Sequence, residues 1–142
     1  MSTEKSLLNE LRKINIALRR RMCAFALGDR KAPAVSSMVV HYIFMQGGSA
    51  LQKEVENEFG LRRSTASQLI KKLEEDGYVT REITGNDGKS KTIYLTQEAK
   101  AQQAAVAEKF GEIERQIESS LTPEEISTFL KLSEKICKNI EG

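Results

Sequence analysis

The chain has 142 residues, of which 39% are hydrophobic and 30% charged, an ordinary composition for a soluble protein with one compact core. Its net charge of +2 is unevenly placed: residues 1–48 carry +5, residues 49–97 are neutral and residues 98–142 carry −3, so any basic surface is local. The two cysteines, Cys23 and Cys137, are too far apart to indicate a small disulfide-stabilised secreted domain. With no signal-peptide pattern and no apolar run long enough to span a bilayer, we expect a cytoplasmic protein.

The N-terminal segment from Thr3 to about Gly28 is predicted to form one long amphipathic helix, because its apolar residues recur at three- and four-residue steps. These apolar residues are Leu7, Leu11, Ile14, Leu18, Met22 and Phe25. A domain of this size seldom needs so long a stripe for its own core, so the pattern favours a dimer interface. The basic run Arg19-Arg20-Arg21 flanks the stripe and is interpreted as a solvated face in preference to a contact with DNA phosphates.

Two shorter helices are predicted next. The first runs from Ala34 to Met45, with Pro33 at its entrance. Ser49 followed by Gln52 is a capping-box pattern, which predicts a third helix from residue 50 to residue 58. Gly60 then ends that helix.

A fourth helix begins after Leu61, in a stretch that holds four basic residues and no acidic one up to Lys72. Its apolar residues share one helical stripe, which we expect to face the core: Ala66, Leu69, Ile70 and Leu73. The opposite face carries short hydrogen-bonding side chains and then cations, namely Ser64, Thr65, Ser67, Gln68, Lys71 and Lys72. This order suits a helix in the major groove of DNA, where hydroxyl and amide groups reach base edges and Lys reaches phosphates.

Two strands are predicted after Gly77, with Val79 and Ile83 on one face of the first, and Ile93 and Leu95 on one face of the second. The loop between them contains an Asp-Gly turn signal and is followed by two lysines, Lys89 and Lys91. A basic hairpin tip beside a recognition helix can enter the adjacent minor groove. The alternative is an ordinary surface hairpin whose charges are only solvated.

Two further helices are predicted to complete the chain. The first runs from Gln97 to about Ser119, and its apolar positions include Ala101, Ala104, Ala105, Phe110, Ile113 and Ile117. The second starts at Thr122-Pro123-Glu124-Glu125, which places a capping Thr before Pro at the first helical position. It runs to about Ile140, and its apolar stripe can pack on the first helix and on a second subunit. The predicted fold class is therefore mainly α with a small β-hairpin wing (α+β).

The run from Arg63 to Val79, followed by Asp87 to Thr96, resembles the winged helix-turn-helix of the MarR family of bacterial transcriptional regulators. The resemblance extends from about residue 5 to the C-terminus. It implies one MarR-like domain over residues 1–142, in which dimerisation helices (residues 3–31 and 97–142) flank a DNA-binding region (residues 34–95). It further implies a homodimer that binds an inverted-repeat operator, as a repressor released by a small ligand or by cysteine oxidation.

Three positions depart from the pattern of the family. Arg62 stands where the family has a small capping residue, and Ala99 stands where it has Gly after Leu-Thr-x-x. In the wing, Asp87-Gly88-Lys89 replaces Asp-x-Arg. A lysine ammonium group is a point charge, whereas the planar arginine guanidinium can donate two parallel hydrogen bonds. The change in the wing therefore bears on how the wing holds DNA.

Ten residues are predicted to contact DNA: Arg62, Arg63, Ser64, Thr65, Ser67, Gln68, Lys71, Lys72, Lys89 and Lys91. We expect Arg63 and the hydroxyl and amide side chains to read bases. Lys71 and Lys72 should contact phosphates, and Lys89 with Lys91 should contact the minor groove or its rim.

The resemblance also implies a small aromatic or phenolic effector between the dimerisation helices and the winged region. The candidate ligand-binding residues are Phe25, His41, Tyr42 and Met45, with the alternative that each is a core residue. A redox role for Cys23 is a second alternative, although Cys23 lies well down the first helix and only Arg19 and Arg20 are near it to lower a thiol pKa.

No catalytic or metal site is predicted, and no cofactor, because the chain has a single histidine, His41, and no cysteine pair at zinc spacing. Glycine-rich phosphate loops and nucleophile elbows are also absent from the sequence. The alternative to DNA binding is a winged-helix dimer that binds a protein partner, which the three acidic residues of the third helix permit: Glu54, Glu56 and Glu58.

Overall fold

The computed structural model describes residues 6–23, 26–27, 30–31 and 34–142, and these form two compact units, Met1–Val106 and Ala107–Gly142. The elements in chain order are α1 (Leu7–Cys23), β1 (Ala26–Leu27), β2 (Arg30–Lys31), α2 (Ala34–Met45), β3 (Ser49–Leu51), α3 (Gln52–Phe59), α4 (Arg63–Glu75), β4 (Val79–Ile83), β5 (Lys91–Leu95), α5 (Gln97–Ser119) and α6 (Pro123–Glu141). None of the helices in the described ranges combines the length and apolar character that a membrane crossing needs.

The first helix is shorter than predicted. α1 ends at Cys23, and the expectation that it continues to Gly28 is wrong, because Ala26–Leu27 pairs antiparallel with Arg30–Lys31. The sequence between these two strands is Gly-Asp, a pair favoured in two-residue hairpin turns. The predicted start of the helix at Thr3 lies outside the described residues.

α2 has its predicted bounds and lies at the centre of the core of the first unit, where Val39, Val40 and Ile43 are fully buried. The same cluster takes side chains from every element that follows as far as the start of α5. Its other members are Ala50, Val55, Ile70, Leu73, Tyr78, Val79, Ile93, Leu95 and Ala99. The winged region is therefore built around one continuous core that includes α2.

A three-stranded antiparallel sheet has β5 at its centre, between β3 and β4. Ser49 pairs with Tyr94 on one side of β5, and Val79 pairs with Leu95 on the other. The prediction that Ser49 caps the third helix is wrong, because residues 49–51 are engaged in the ladder with β5. α3 starts at Gln52 instead, and the Glu54 carboxylate accepts the Leu51 N–H at 2.8 Å.

The helix-turn-helix follows the predicted order. α3 ends at Gly60, whose φ of 62° lies in the left-handed region that favours glycine. Arg62 precedes α4 with an extended backbone and no side-chain capping bond, which fits its departure from a small capping residue. In α4, Ala66, Ile70 and Leu73 are buried, so the predicted core stripe is confirmed and sets the orientation of the opposite face.

The two long strands also follow the prediction, except near the wing tip. Val79, Ile93 and Leu95 are buried, whereas Ile83 is 62% exposed because the end of β4 extends beyond the core. β5 is followed by Thr96, whose hydroxyl donates to the Gly77 carbonyl at 2.9 Å and accepts the N–H of Ala99 at 3.1 Å. Thr96 thereby caps α5 and connects its start to the turn between α4 and β4.

α5 has its predicted bounds, but only some of its predicted apolar positions are buried, Ile113 among them. The buried residues in the first unit are Ala99, Gln103 and Val106. The predicted Ala101, Ala104 and Ala105 are exposed, since alanine is small enough to suit either face of a helix and gives a weak periodic signal.

α6 begins with the predicted capping box. The Glu125 N–H donates to the Thr122 hydroxyl at 3.1 Å, and the Thr122 N–H donates to the Glu125 carboxylate at 2.8 Å. No residue of α6 is buried within the described chain, and Phe129 and Leu130 are 51% and 62% exposed. The apolar stripe of this helix is thus available to a partner.

Candidate nucleic-acid interface

One face of α4 is polar and open to solvent. The buried residues Ala66, Ile70 and Leu73 hold the helix against the core, so the residues between them point outward. The predicted contact residues that are exposed on α4 or directly before it are Arg62, Arg63, Ser64, Thr65, Gln68, Lys71 and Lys72. Ser67 is half-buried, which places it at the edge of this face.

A groove lies beside this face, with a cavity of about 310 Å³. It is formed by α3, the start of α4, the wing loop and the start of β5, and it is lined by Gln52, Lys53, Glu56, Arg63, Asp87, Lys89, Ser90 and Lys91. The structure therefore brings Arg63 together with the two wing lysines, Lys89 and Lys91. Lys53 was not predicted to belong to the site, although its place on the second residue of α3 puts its cation in the same groove.

The wing loop is organised by one carboxylate. Asp87 accepts hydrogen bonds from the Lys89 N–H at 2.9 Å, the Ser90 N–H at 3.0 Å and the Ser90 hydroxyl at 3.1 Å. These bonds, led by that from the Lys89 N–H, lower the pKa of Asp87 from its ordinary value of 3.8. Gly85 permits the tight return, because a Cβ there would lie 2.6 Å from the Ser90 Cβ. The Asp87 carboxylate is thus engaged with the backbone that carries Lys89.

Lys72 also has an acidic neighbour. Its Nζ lies 3.6 Å from an Asp76 carboxylate oxygen, and the Lys72 side chain is 70% exposed. The Asp76 side chain, in contrast, is only 18% exposed. The Lys72 ammonium group is therefore paired with a carboxylate and still open to solvent.

Arg81 was not predicted from the sequence, yet its side chain contacts both α3 and α4. Its Nη1 donates to the Gln52 side-chain oxygen and to the Ser67 hydroxyl, each at 3.1 Å. Its Nη2 lies 3.5 Å from a Glu74 carboxylate oxygen. Its place in β4 was the one signal in the sequence. Arg81 lies two residues after Val79 and so shares the core-facing side of the strand, where a cation needs hydrogen-bond acceptors or carboxylates as partners.

The candidate effector residues lie on α2, apart from Phe25, which is outside the described residues. His41 is half-buried, and this burial lowers its pKa from 6.5. Tyr42 packs edge-on against Phe59 of α3, with ring centroids 5.8 Å apart; burial, and then the nearby Glu54 and Glu58, raise its pKa. Met45 is exposed, and none of the three lines the groove beside α4. Tyr42 is thus part of the packing between α2 and α3, while a ligand role for this set remains a prediction.

The cysteines lie at the ends of different helices. Cys23 is the last residue of α1, and its redox role remains a prediction. Cys137 is a free, exposed thiol on α6. Within the described ranges, no group of three His, Cys, Asp or Glu side chains is placed to hold a metal ion.

A recognition helix with an exposed polar face, preceded by α3 and followed by a two-stranded wing, defines a winged helix-turn-helix protein. Residues 33–90 match the model of the MarR family. The matched residues run from α2 to the wing loop, so the similarity to the MarR family lies in the winged region.

Solved structures share this fold along nearly the whole chain. The chain is similar to the MarR protein of Peptoclostridium difficile, with 21% identity and a TM-score of 0.83 over 99% of this chain and 92% of that one. It is similar to MepR of S. aureus in a DNA complex, with 19% identity and a TM-score of 0.83 over 96% and 99%. It is also similar to PcaV of Streptomyces coelicolor bound to its natural ligand, with 16% identity and a TM-score of 0.79 over 97% and 98%. The mainly α fold with a small antiparallel sheet is thereby confirmed.

Proposed function

We propose that this protein is a cytoplasmic, sequence-specific transcriptional regulator that binds double-stranded DNA as a homodimer and represses its target genes. One observation carries the proposal: the exposed polar face of α4 joins a groove in which Arg63 meets the wing lysines Lys89 and Lys91. A helix face of this kind fits the major groove of DNA. The solved DNA complex of the similar MepR supports DNA as the partner.

Base reading falls to the first two turns of α4. Thr65 and Gln68 are exposed there, and a Gln amide can pair with the donor and acceptor of adenine in the major groove. Arg63, at the first position of the helix, can contact guanine or a nearby phosphate. Lys71 and Lys72 lie one to two turns later, where they contact phosphates and supply affinity without sequence preference.

The groove beside α4 suits the DNA backbone. Four of its lining residues are cations, contributed by α3, α4 and the wing: Lys53, Arg63, Lys89 and Lys91. Two carboxylates also line it, but both have partners of their own: Asp87 accepts the loop hydrogen bonds, and Glu56 accepts from the Gln52 side chain at 3.3 Å. The groove is therefore basic in balance, as a phosphate site requires.

The homodimer is supported by apolar side chains that the described chain leaves exposed. In α1, Leu7 and Leu8 are mainly exposed, and in α6 so are Leu130 and Ile140. Large apolar side chains left exposed along a helix suit an interface, and a second copy of the chain can cover each helix. Two-fold symmetry would then present two copies of α4 to successive major grooves, about 10 base pairs apart, so the operator should be an inverted repeat.

Release of DNA by a small aromatic or phenolic ligand completes the proposal. It is supported by the ligand-bound structure of the similar PcaV and by the candidate residues Phe25, His41, Tyr42 and Met45. A panel of aromatic carboxylates and phenols should contain a compound that raises the melting temperature of the protein and releases DNA at the same concentrations. A Met45→Ala variant that keeps both responses unchanged would exclude Met45 from the site.

The first experiment is a selection of random duplex DNA on the purified protein, followed by titration of the recovered sequence at two salt concentrations. We expect an inverted repeat that binds more weakly as salt rises, because neutralised phosphates release counterions. A folded dimer that recovers no motif and shows a shallow salt dependence would contradict the proposal. That outcome would favour the alternative in which the winged region binds a protein.

A further inference from the structure

Arg81 connects three elements of the interface from a nearly buried position, with only 18% of its side chain exposed. It holds Gln52 at the first position of α3, Ser67 in the middle of α4 and Glu74 near the end of α4. The planar guanidinium presents its donors in a fixed fork, so three partners at fixed distances restrict how α4 can lie against α3 and β4. This arrangement makes Arg81 a positioning residue for the recognition helix.

The hydrogen bond to Ser67 has a further consequence. A serine hydroxyl has one proton to donate and two lone pairs that accept, whereas arginine only donates. Because the Arg81 Nη1 occupies one lone pair of the Ser67 oxygen, the Ser67 proton cannot be used in that bond. No described residue accepts it either, so it remains for a group outside the chain.

The positive charge of Arg81 also selects the kind of group that Ser67 can meet. A guanidinium 3.1 Å from the oxygen polarises the hydroxyl as a donor and opposes the approach of a second N–H donor. In the major groove, acceptors are N7 and O6 of guanine, N7 of adenine and O4 of thymine, while the amino groups of cytosine and adenine are donors. Ser67 should therefore favour the acceptors.

We propose that Arg81 sets DNA specificity through Ser67, by holding its hydroxyl as a donor to one base-edge acceptor in each operator half-site. This inference rests on the proposed DNA-binding function and goes beyond it. It assigns a hydrogen-bond direction to Ser67 and a role in reading DNA to a residue that need not contact DNA. The specificity of the helix then depends on a strand of the wing.

The test begins with selection of random duplex DNA on the wild-type protein, Ser67→Ala and Arg81→Met. Both variants should lose base preference at the same symmetric position, keep it elsewhere, and bind the wild-type sequence about ten- to a hundredfold more weakly, as expected when one hydrogen bond worth about three- to tenfold is lost in each of the two half-sites. Arg115→Met is the matched control, since Arg115 makes an exposed ion pair with Glu108 at 3.2 Å, and it should select the wild-type sequence. Ser67→Thr, which keeps the hydroxyl, should retain the preference.

A second measurement uses the wild-type fold and altered DNA. Replacing the base at that position in one half-site by an analogue without the acceptor, namely a 7-deazapurine for N7, 2-aminopurine for O6 or a pyrimidinone for O4, should weaken wild-type binding about three- to tenfold. The same analogue should leave binding by Ser67→Ala and Arg81→Met unchanged. If Arg81→Met fails to fold, Arg81→Lys takes its place, because lysine keeps the charge without the paired donors of the guanidinium group. The analogue should weaken DNA binding by Arg81→Lys less than it weakens binding by the wild-type protein.

The outcomes separate this inference from the proposed function. If the wild-type protein recovers no motif, the DNA-binding proposal itself fails. If it recovers a motif and Ser67→Ala weakens all sequences alike, Ser67 contacts a phosphate and the inference is overturned. It is also overturned if Arg81→Met responds to the analogue as the wild-type protein does.

Discussion

The winged region and the last helix differ in what covers their apolar side chains. In the winged region, Val39, Ile43 and Ile70 are fully buried by other parts of the same unit. In α6, Phe129 and Leu130 remain mainly exposed, although a complete capping box stabilises the start of this helix. The first unit therefore buries its apolar residues by itself, whereas the apolar stripe of α6 is suited to a partner.

Ile70→Ala should destabilise the winged region by about 2–5 kcal/mol, because it leaves a cavity in a packed core. Thermal or urea unfolding would measure the loss, with Ile83→Ala as the control. Ile83 is 62% exposed, so its truncation should change stability by less than about 0.5 kcal/mol. Equal losses for the two variants would contradict the contrast between core and wing tip.

Leu130→Glu should weaken the proposed dimer about a hundredfold, which corresponds to roughly 3 kcal/mol for burying an unpaired carboxylate. Sedimentation equilibrium would measure the change. Thr128→Glu is the control, because Thr128 is an exposed polar residue of the same helix outside the apolar stripe. A Leu130→Glu protein that dimerises like the wild type would show that α6 does not form the interface.

Lys72→Ala should weaken binding to all DNA sequences and lower the slope of log affinity against log salt by about one per subunit. Gln68→Ala should instead relax sequence preference, because its amide is placed to read bases. Both residues are exposed on the self-stabilised winged region, so neither change should alter the dimer. Equal losses on operator and random DNA for Gln68→Ala would contradict its assignment to base reading.

The elements predicted best were those with a local chemical signal. Thr122 with Glu125 marked the start of α6, and Gly60 marked the end of α3, because caps depend on residues only a few positions apart. The strand β3 was missed because its identity depends on pairing with β5, some 40 residues later in the chain.

The residues of the candidate site were also predicted only in part. The exposed face of α4 followed from helical periodicity, which needs only the sequence of that helix. Arg81 and Lys53 were missed because their roles depend on which elements meet around them. No periodic pattern within β4 or α3 could have supplied that information.

Gln103→Leu should stabilise the first unit by about 1 kcal/mol. Gln103 is 1% exposed and its carbonyl oxygen has no hydrogen-bond partner among the described residues, so an apolar side chain of similar size removes a desolvation cost. Ser37→Ala should shift stability in the same direction, because the buried Ser37 hydroxyl likewise finds no partner in the described part of the chain. Destabilisation by Gln103→Leu would show that the carbonyl makes an interaction in the assembled protein.

Asp87→Asn should have the smallest effect and should be confined to the wing tip. Because hydrogen bonds lower the pKa of Asp87 below 3.8, the ionised carboxylate stabilises the folded loop at neutral pH. That stabilisation is lost as the pH falls from about 4 through the lowered pKa. Amide NMR signals of Lys89 and Ser90 should therefore shift below pH 4 in the wild type and not in Asp87→Asn, while the signal of the core residue Ile93 stays fixed in both. A shift of Ile93 at the same pH would show that the wing tip and the core respond as one unit, against the local role assigned to Asp87.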